Sequence, residues 1–159
     1  MKSERQVSIM TLTAKESTLL KDLKDQENLC AEKYERAAAA AIDGQLKGLF
    51  TALAANEREH LKTLDEIECC TPPAPCAQEK SLPTFTQTYT MSDSPDKTQD
   101  CFLCTDMLTA EKHASSLYDT CIFEFSDEAA RKCLNHIQKE EQEHGKMVYD
   151  YMKANHMYN

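Results

Sequence analysis

The sequence has few of the residues that break helices. There are three glycines and five prolines in 159 positions, and three of the prolines crowd into "CCTPPAPC". With so little turn-forming material, and with Ala, Glu, Lys and Leu abundant, helix is expected over sheet. Positive charge is also short: Lys and Arg number 18 against 27 carboxylates. Neither nucleic acid nor an anionic membrane surface is therefore an expected partner. No apolar run is long enough to span a bilayer, and the opening "MKSERQVSIMTLTAKE" lacks the apolar stretch of an export signal. A cytoplasmic location follows as the expectation. In that setting the eight cysteines read as thiols or metal ligands rather than a disulfide framework. The length suits one domain, residues 1–159, with a core of its own.

What is present is helical periodicity. Thr13 begins "TAKE", a capping-box pattern with Glu16 in third place, so a first helix starts there and runs to about Ile42. Asp43 and Gly44 interrupt it, and a second helix continues from about Gln45 to Glu68. Prolines 72, 73 and 75 end that pattern, and residues 69–99 show no periodicity and much Thr, Ser and Pro. A third helix is expected from about Asp100 to Phe125, then a turn and cap at Ser126 and Asp127, then a fourth helix to about Ala154. The fold class is thus all-α: a four-helix bundle of two hairpins, about 14–68 and 100–154, joined by a long crossover. An up-down-up-down bundle needs only about 2–8 residues between its middle helices. The long connector instead predicts that helices two and three run parallel.

Apolar residues recur in steps of three and four on each helix, as the buried stripe of a bundle requires. The first helix carries Leu20, Leu23, Cys30, Tyr34, Ala37 and Ala41; the second carries Leu46, Phe50, Leu53, Leu64 and Ile67. The third carries Cys104, Met107, Ala114, Tyr118, Cys121 and Phe125; the fourth carries Ala130, Leu134, Ile137, Val148 and Tyr151. Every gap in these stripes holds Glu or His: Glu27, Glu57, His60, Glu111, Glu141 and His144. Four inward carboxylates would be prohibitively costly in a simple apolar bundle. Divalent cations would reconcile the pattern.

A shift of 84 residues superposes the two halves. Glu27 falls on Glu111, Tyr34 on Tyr118, Asp43 on Asp127, and "EREH" on "EQEH". The midpoint between Glu27 and Glu57 is position 42, and that between Glu111 and Glu141 is 126, where the turn residues stand. All four glutamates should therefore share one layer. Sixteen residues are Glu, so one Glu-x-x-His arises by chance roughly one time in ten per His. Two in matching slots, each facing a lone Glu, do not. Residues three apart on a helix share a face, about 4.5 Å apart along the axis, so each Glu-x-x-His can bind one ion. Glu27 and Glu111 would be terminal ligands, and Glu57 and Glu141 would bridge. An N/O donor set without thiolate suits iron or manganese better than structural zinc.

These motifs, E27…E57REH60 and E111…E141QEH144, resemble the ferritin-like superfamily and within it the rubrerythrin and bacterioferritin branches. The resemblance spans about residues 15–153. It implies two iron ions per chain (manganese or zinc as alternatives), with all six Glu and His residues as metal-binding and catalytic groups. It also implies dioxygen or hydrogen peroxide as a small oxidant, an external electron donor, and ferrous-iron oxidation or peroxide reduction. Tyr34 and Tyr118 resemble the tyrosines that support such ligands. A homodimer is the expected assembly. Ala114 stands where rubrerythrins carry a further glutamate, no rubredoxin-type pair of Cys-x-x-Cys knuckles is present, and Arg58 stands where a haem-ligating Met would. The alternatives are iron storage, a metal-binding bundle without turnover, oxygenation of an organic substrate, and a structural or coat interaction protein.

The remaining candidates read more plainly. Cys69, Cys70, Cys76, Cys101 and Cys104 gather around the connector, and "CFLC" has metal-knuckle spacing, but reduced thiols or a redox disulfide are the expectation. Cys30 lies three residues after Glu27, where Ala114 follows Glu111; it either fills core space or faces one ion. His113, His136 and His156 fall off the stripes and are expected at the surface, as are Glu59 and Glu143.

Overall fold

The computed structural model describes residues 9–75 and 79–158, and its regular elements are all helices, with no strand among the described residues. Its elements are α1 (Ala14–Ala40), α2 (Gly44–Glu68), α3 (Pro95–Glu124) and α4 (Glu128–Ala154). Thr13 caps α1 with the full capping box: its hydroxyl accepts from Glu16 N at 3.1 Å, and Glu16 Oε2 accepts from Thr13 N at 3.1 Å. Asp43 and Asp127 cap α2 and α4. Both hairpin turns therefore stop one helix and start the next within three residues, at 41–43 and 125–127.

Side-chain pairings fix the directions. Tyr34 meets Glu111 and Tyr118 meets Glu27, so α1 and α3 are antiparallel. His60 meets Glu141 and His144 meets Glu57, so α2 and α4 are antiparallel too. Since each hairpin is itself antiparallel, α2 and α3 run parallel. The described residues of the crossover, 69–75 and 79–94, lie along the α2–α4 side of the bundle. Cys133 Sγ donates to Pro73 O, Lys80 approaches Glu140, Phe85 packs edge-on to Tyr151, and Asn155 Oδ1 accepts from Thr88 N and Tyr89 N.

α3 begins five residues earlier than the stripe predicts. Ser94 caps it and Pro95 occupies its first turn, where a missing N–H costs nothing. The first turns of α3 bury Lys97 and Asp100 rather than apolar side chains. Lys97 Nζ donates to Thr90 O, and Asp100 accepts from the backbone N–H groups of Ile42 and Asp43 and from the Tyr89 hydroxyl. That carboxylate joins the α1–α2 turn, the crossover and α3 at one end of the bundle.

All the apolar residues expected inside are buried. They form two separate clusters. One, around Tyr34, Phe50, Met107 and Tyr151, lies toward the α1–α2 turn; the other, around Leu20, Leu64, Phe125 and Leu134, lies toward the opposite end. No helix among the described residues is long and apolar enough to cross a membrane.

The Asp100 junction predicts a measurable loss. Asp100→Ala strands three donors, one buried and two half-buried, and one fully buried group costs about 1–3 kcal/mol. Urea unfolding should show a loss of about 3 kcal/mol, with Tm down by roughly 6–12 °C. A loss below about 0.5 kcal/mol would mean the junction contributes nothing.

Candidate metal centre

Between the two apolar clusters lies a layer of six ionisable side chains. Glu27 comes from α1, Glu57 and His60 from α2, Glu111 from α3, and Glu141 and His144 from α4; none is more than 4 % exposed. Their donor atoms form two groups, each within 4.8 Å: Glu27, Glu57, His60 and Glu141 in one, Glu57, Glu111, Glu141 and His144 in the other. Both imidazoles turn Nδ1 inward. His60 Nδ1 lies 3.1 Å from Glu57 Oε2 and 3.1 Å from Glu141 Oε1, and His144 Nδ1 lies 3.0 Å from Glu57 Oε1 and 3.7 Å from Glu141 Oε2. Glu57 and Glu141 thus present one oxygen to each histidine. Glu27 faces only His60, at 3.6 Å, and Glu111 only His144, at 3.3 Å. The rings stack 5.5 Å apart.

The residues fit a pair of cations. Glu27 Oε2, Glu111 Oε2 and Glu141 Oε2 are buried without a hydrogen-bond partner, which is costly for an acceptor unless another ligand takes the lone pair. Protons soften the layer in the metal-free chain. Burial, set against hydrogen bonds from His144 and His60, leaves the Glu57 carboxyl raised to about 7, and burial raises Glu141 as well. Glu27 moves the other way despite its burial, to about 2, because the neighbouring His60 and Glu57 outweigh it. Burial opposes the charge on His144, but hydrogen bonds to Glu111 and Glu57 prevail and lift it to about 9; His60 is raised likewise, with Glu140 and Glu141 its leading partners.

The tyrosines cross between hairpins. Tyr34 donates to Glu111 Oε1 at 2.5 Å and Tyr118 donates to Glu27 Oε1. Each phenol's pKa is pushed far up by burial and by the carboxylate it serves, so both remain donors. Cys30 belongs to neither group. Its sulfur accepts from Gln26 Nε2, and burial, reinforced by the Glu57 charge, pushes the thiol up to about 12, so it packs as a neutral side chain.

The cysteines of the connector do not converge. Cys69 and Cys70 end α2 at one end of the bundle, while Cys101 and Cys104 sit in the first turns of α3 at the other; all four are free thiols. Cys76 lies outside the described residues. His113 and His156 are exposed as expected.

His136 is only partly exposed, and sequence reasoning missed what it does. Its Nε2 lies 2.8 Å from Glu140 Oε1, which lies 3.5 Å from His60 Nε2 on the outer side of that ring; Lys80 Nζ is 3.6 Å from the other Glu140 oxygen. His60, facing it at 3.5 Å, holds the Glu140 carboxyl at about 2 against the effect of burial. The signal was a His and a Glu at i, i+4. It went unread because neither lies on the stripe, and the repeat places Asn56 opposite Glu140.

Residues 99–159 match the family model described as Coat F domain. No curated protein and no solved structure matches the chain. The Coat F match overturns the expected kinship with the ferritin-like superfamily, rubrerythrins and bacterioferritins included. With it falls the expected function: a di-iron oxidoreductase that oxidises ferrous iron or reduces dioxygen or peroxide, with a part in oxidative stress. The physical reason is that the resemblance rested on six side chains. Any bundle that buries such a layer is held to the same spacing, so the pattern reports local chemistry rather than lineage. The chain is similar to the Coat F domain over α4 and most of α3.

Proposed function

We propose that the chain is a structural subunit of a coat-type assembly, with two divalent cations at the centre of its bundle tying the hairpins together. The match of residues 99–159 to the Coat F domain carries the subunit reading. The two four-residue donor groups, with their unpartnered buried oxygens, support the cations. Carboxylates and imidazoles without thiolate favour iron or manganese over zinc. Bound there, two such ions would neutralise the four carboxylates and cross-link all four helices. The partner this reading calls for is further copies of the chain, and its place is a coat rather than the open cytoplasm. Phe102 and Phe123, both exposed on α3, offer apolar surface for such packing.

Metal analysis and thermal unfolding test the centre. Two equivalents of iron or manganese per chain are expected. An ion at a hundred times its Kd adds about 2.7 kcal/mol, so the loaded chain should melt roughly 10–20 °C above the metal-free one. Glu57→Ala and Glu141→Ala, which each remove a carboxylate shared by both groups, should lose both the ions and the shift. No retained metal would sink the cross-link. Sedimentation tests the subunit: loaded protein should self-associate, and a monomer at every concentration, or rapid peroxide turnover, would count against a structural role.

Proton release gives an independent check. The folded pKa of His144, about 9, stands above its unfolded value of about 6.5. Its contribution to the metal-free fold is therefore full below pH 6.5 and is lost as pH rises through 9. An ion at Nδ1 must displace that proton, and Glu57, at about 7, adds to the release. Apparent affinity should rise from pH 6 to 9 and then flatten. Calorimetry in buffers of different ionisation enthalpy should find at least one proton released per ion pair at pH 7.5. Release of none would contradict the assignment.

A further inference from the structure

Two openings lead toward the buried layer, and they differ in charge. The groove between α3 and α4, about 670 Å³, reaches Glu111 and Glu141 and is rimmed by Lys112, Lys153 and Lys146, the last paired with Asp150. The second is a cleft of about 240 Å³ between α2, α4 and the crossover, lined by Glu59, Glu66, His136 and Glu140, with Lys62 the one lysine among its described lining. At about 30 Å³ per water, it has room for a cation and several waters. His60 also lines this cleft. Its ring is 4 % exposed, and its Nε2, on the side away from the centre, makes no hydrogen bond.

The donors at the mouth suit a metal ion. Ligands on bonds of about 2.0–2.2 Å sit roughly 2.8–3.5 Å apart around one ion. His136 Nε2 and Glu140 Oε1 are 2.8 Å apart, while His60 Nε2, 3.5 Å behind Glu140 Oε1, carries the proton once Nδ1 takes an inner ion. His136 reaches solvent, His60 lies beneath, and Glu140 stands between them. Lys80, well exposed on the crossover, is the other cation near Glu140 and can swing away. A rim whose lysines outnumber its one carboxylate attracts a divalent cation less than a cleft whose three carboxylates outnumber its one lysine.

Resting on the reading that the centre binds cations, we propose that this cleft is their entrance, and that His136 and Glu140 form an outer divalent-cation site at its mouth.

The test is cobalt(II) titration and loading kinetics of the metal-free full chain. The wild type should bind two ions tightly and a third more weakly. His136→Ala and Glu140→Gln should each lose the third ion and fill the tight pair about tenfold more slowly or worse, with the pair still reached at saturation. Circular dichroism confirms the fold of both variants, and Lys112→Ala, at the other groove, should load at the wild-type rate. A tight pair that fills as fast in His136→Ala and Glu140→Gln as in the wild type overturns the entrance alone. Absence of the tight pair in the wild type overturns the cation reading of the centre itself.

Discussion

Four carboxylates and two imidazoles occupy the middle of a core that is otherwise apolar, and the rest of the architecture answers to that constraint. The six groups must reach the same height from four helices, so all four helix registers are fixed together. The apolar packing is cut into two clusters, neither of which crosses the layer. Two tyrosines, completely buried, supply donors to the carboxylates that have no histidine three residues on. Charge that water would have solvated is met by protons, phenols and histidines, and a pair of cations would meet it more completely.

Much of this was legible in the sequence because the repeat made it so. The gaps in the stripes, the 84-residue shift and the two midpoints located the layer without knowledge of any contact. The length of the connector gave the parallel pair α2 and α3. The start of α3 was harder to read. Its first turns, "PDKTQD", carry polar residues that are buried only because the crossover and the α1–α2 turn supply their partners. The cysteines gathered around the connector are free thiols and lie at opposite ends, since closeness to one loop in sequence does not survive when that loop spans a bundle roughly 45 Å long. Glu140 escaped notice because its work lies behind a ligand rather than beside one.

The resemblance inferred from the motifs shows where such reasoning stops. Spacing on a helix constrains which atoms meet, and the layer formed as the spacing required. Lineage and activity are not fixed by spacing, and there the Coat F match points elsewhere. A layer suited to cations is compatible with a purely mechanical part, since an ion that joins two hairpins stiffens a subunit whether or not it exchanges electrons.

The exchange of tyrosines between hairpins has a further implication. Each hairpin holds a lone Glu, a Glu-x-x-His and a Tyr, yet its Tyr serves the other hairpin's Glu. One hairpin is thus half of a two-fold arrangement and is self-complementary, as an isologous pair must be. The crossover converts what could have been a handshake between two chains into a contact within one. Residues 99–159, the span similar to the Coat F domain, make up one such half. The layer closes only where a second half is supplied, and in this chain residues 14–68 supply it.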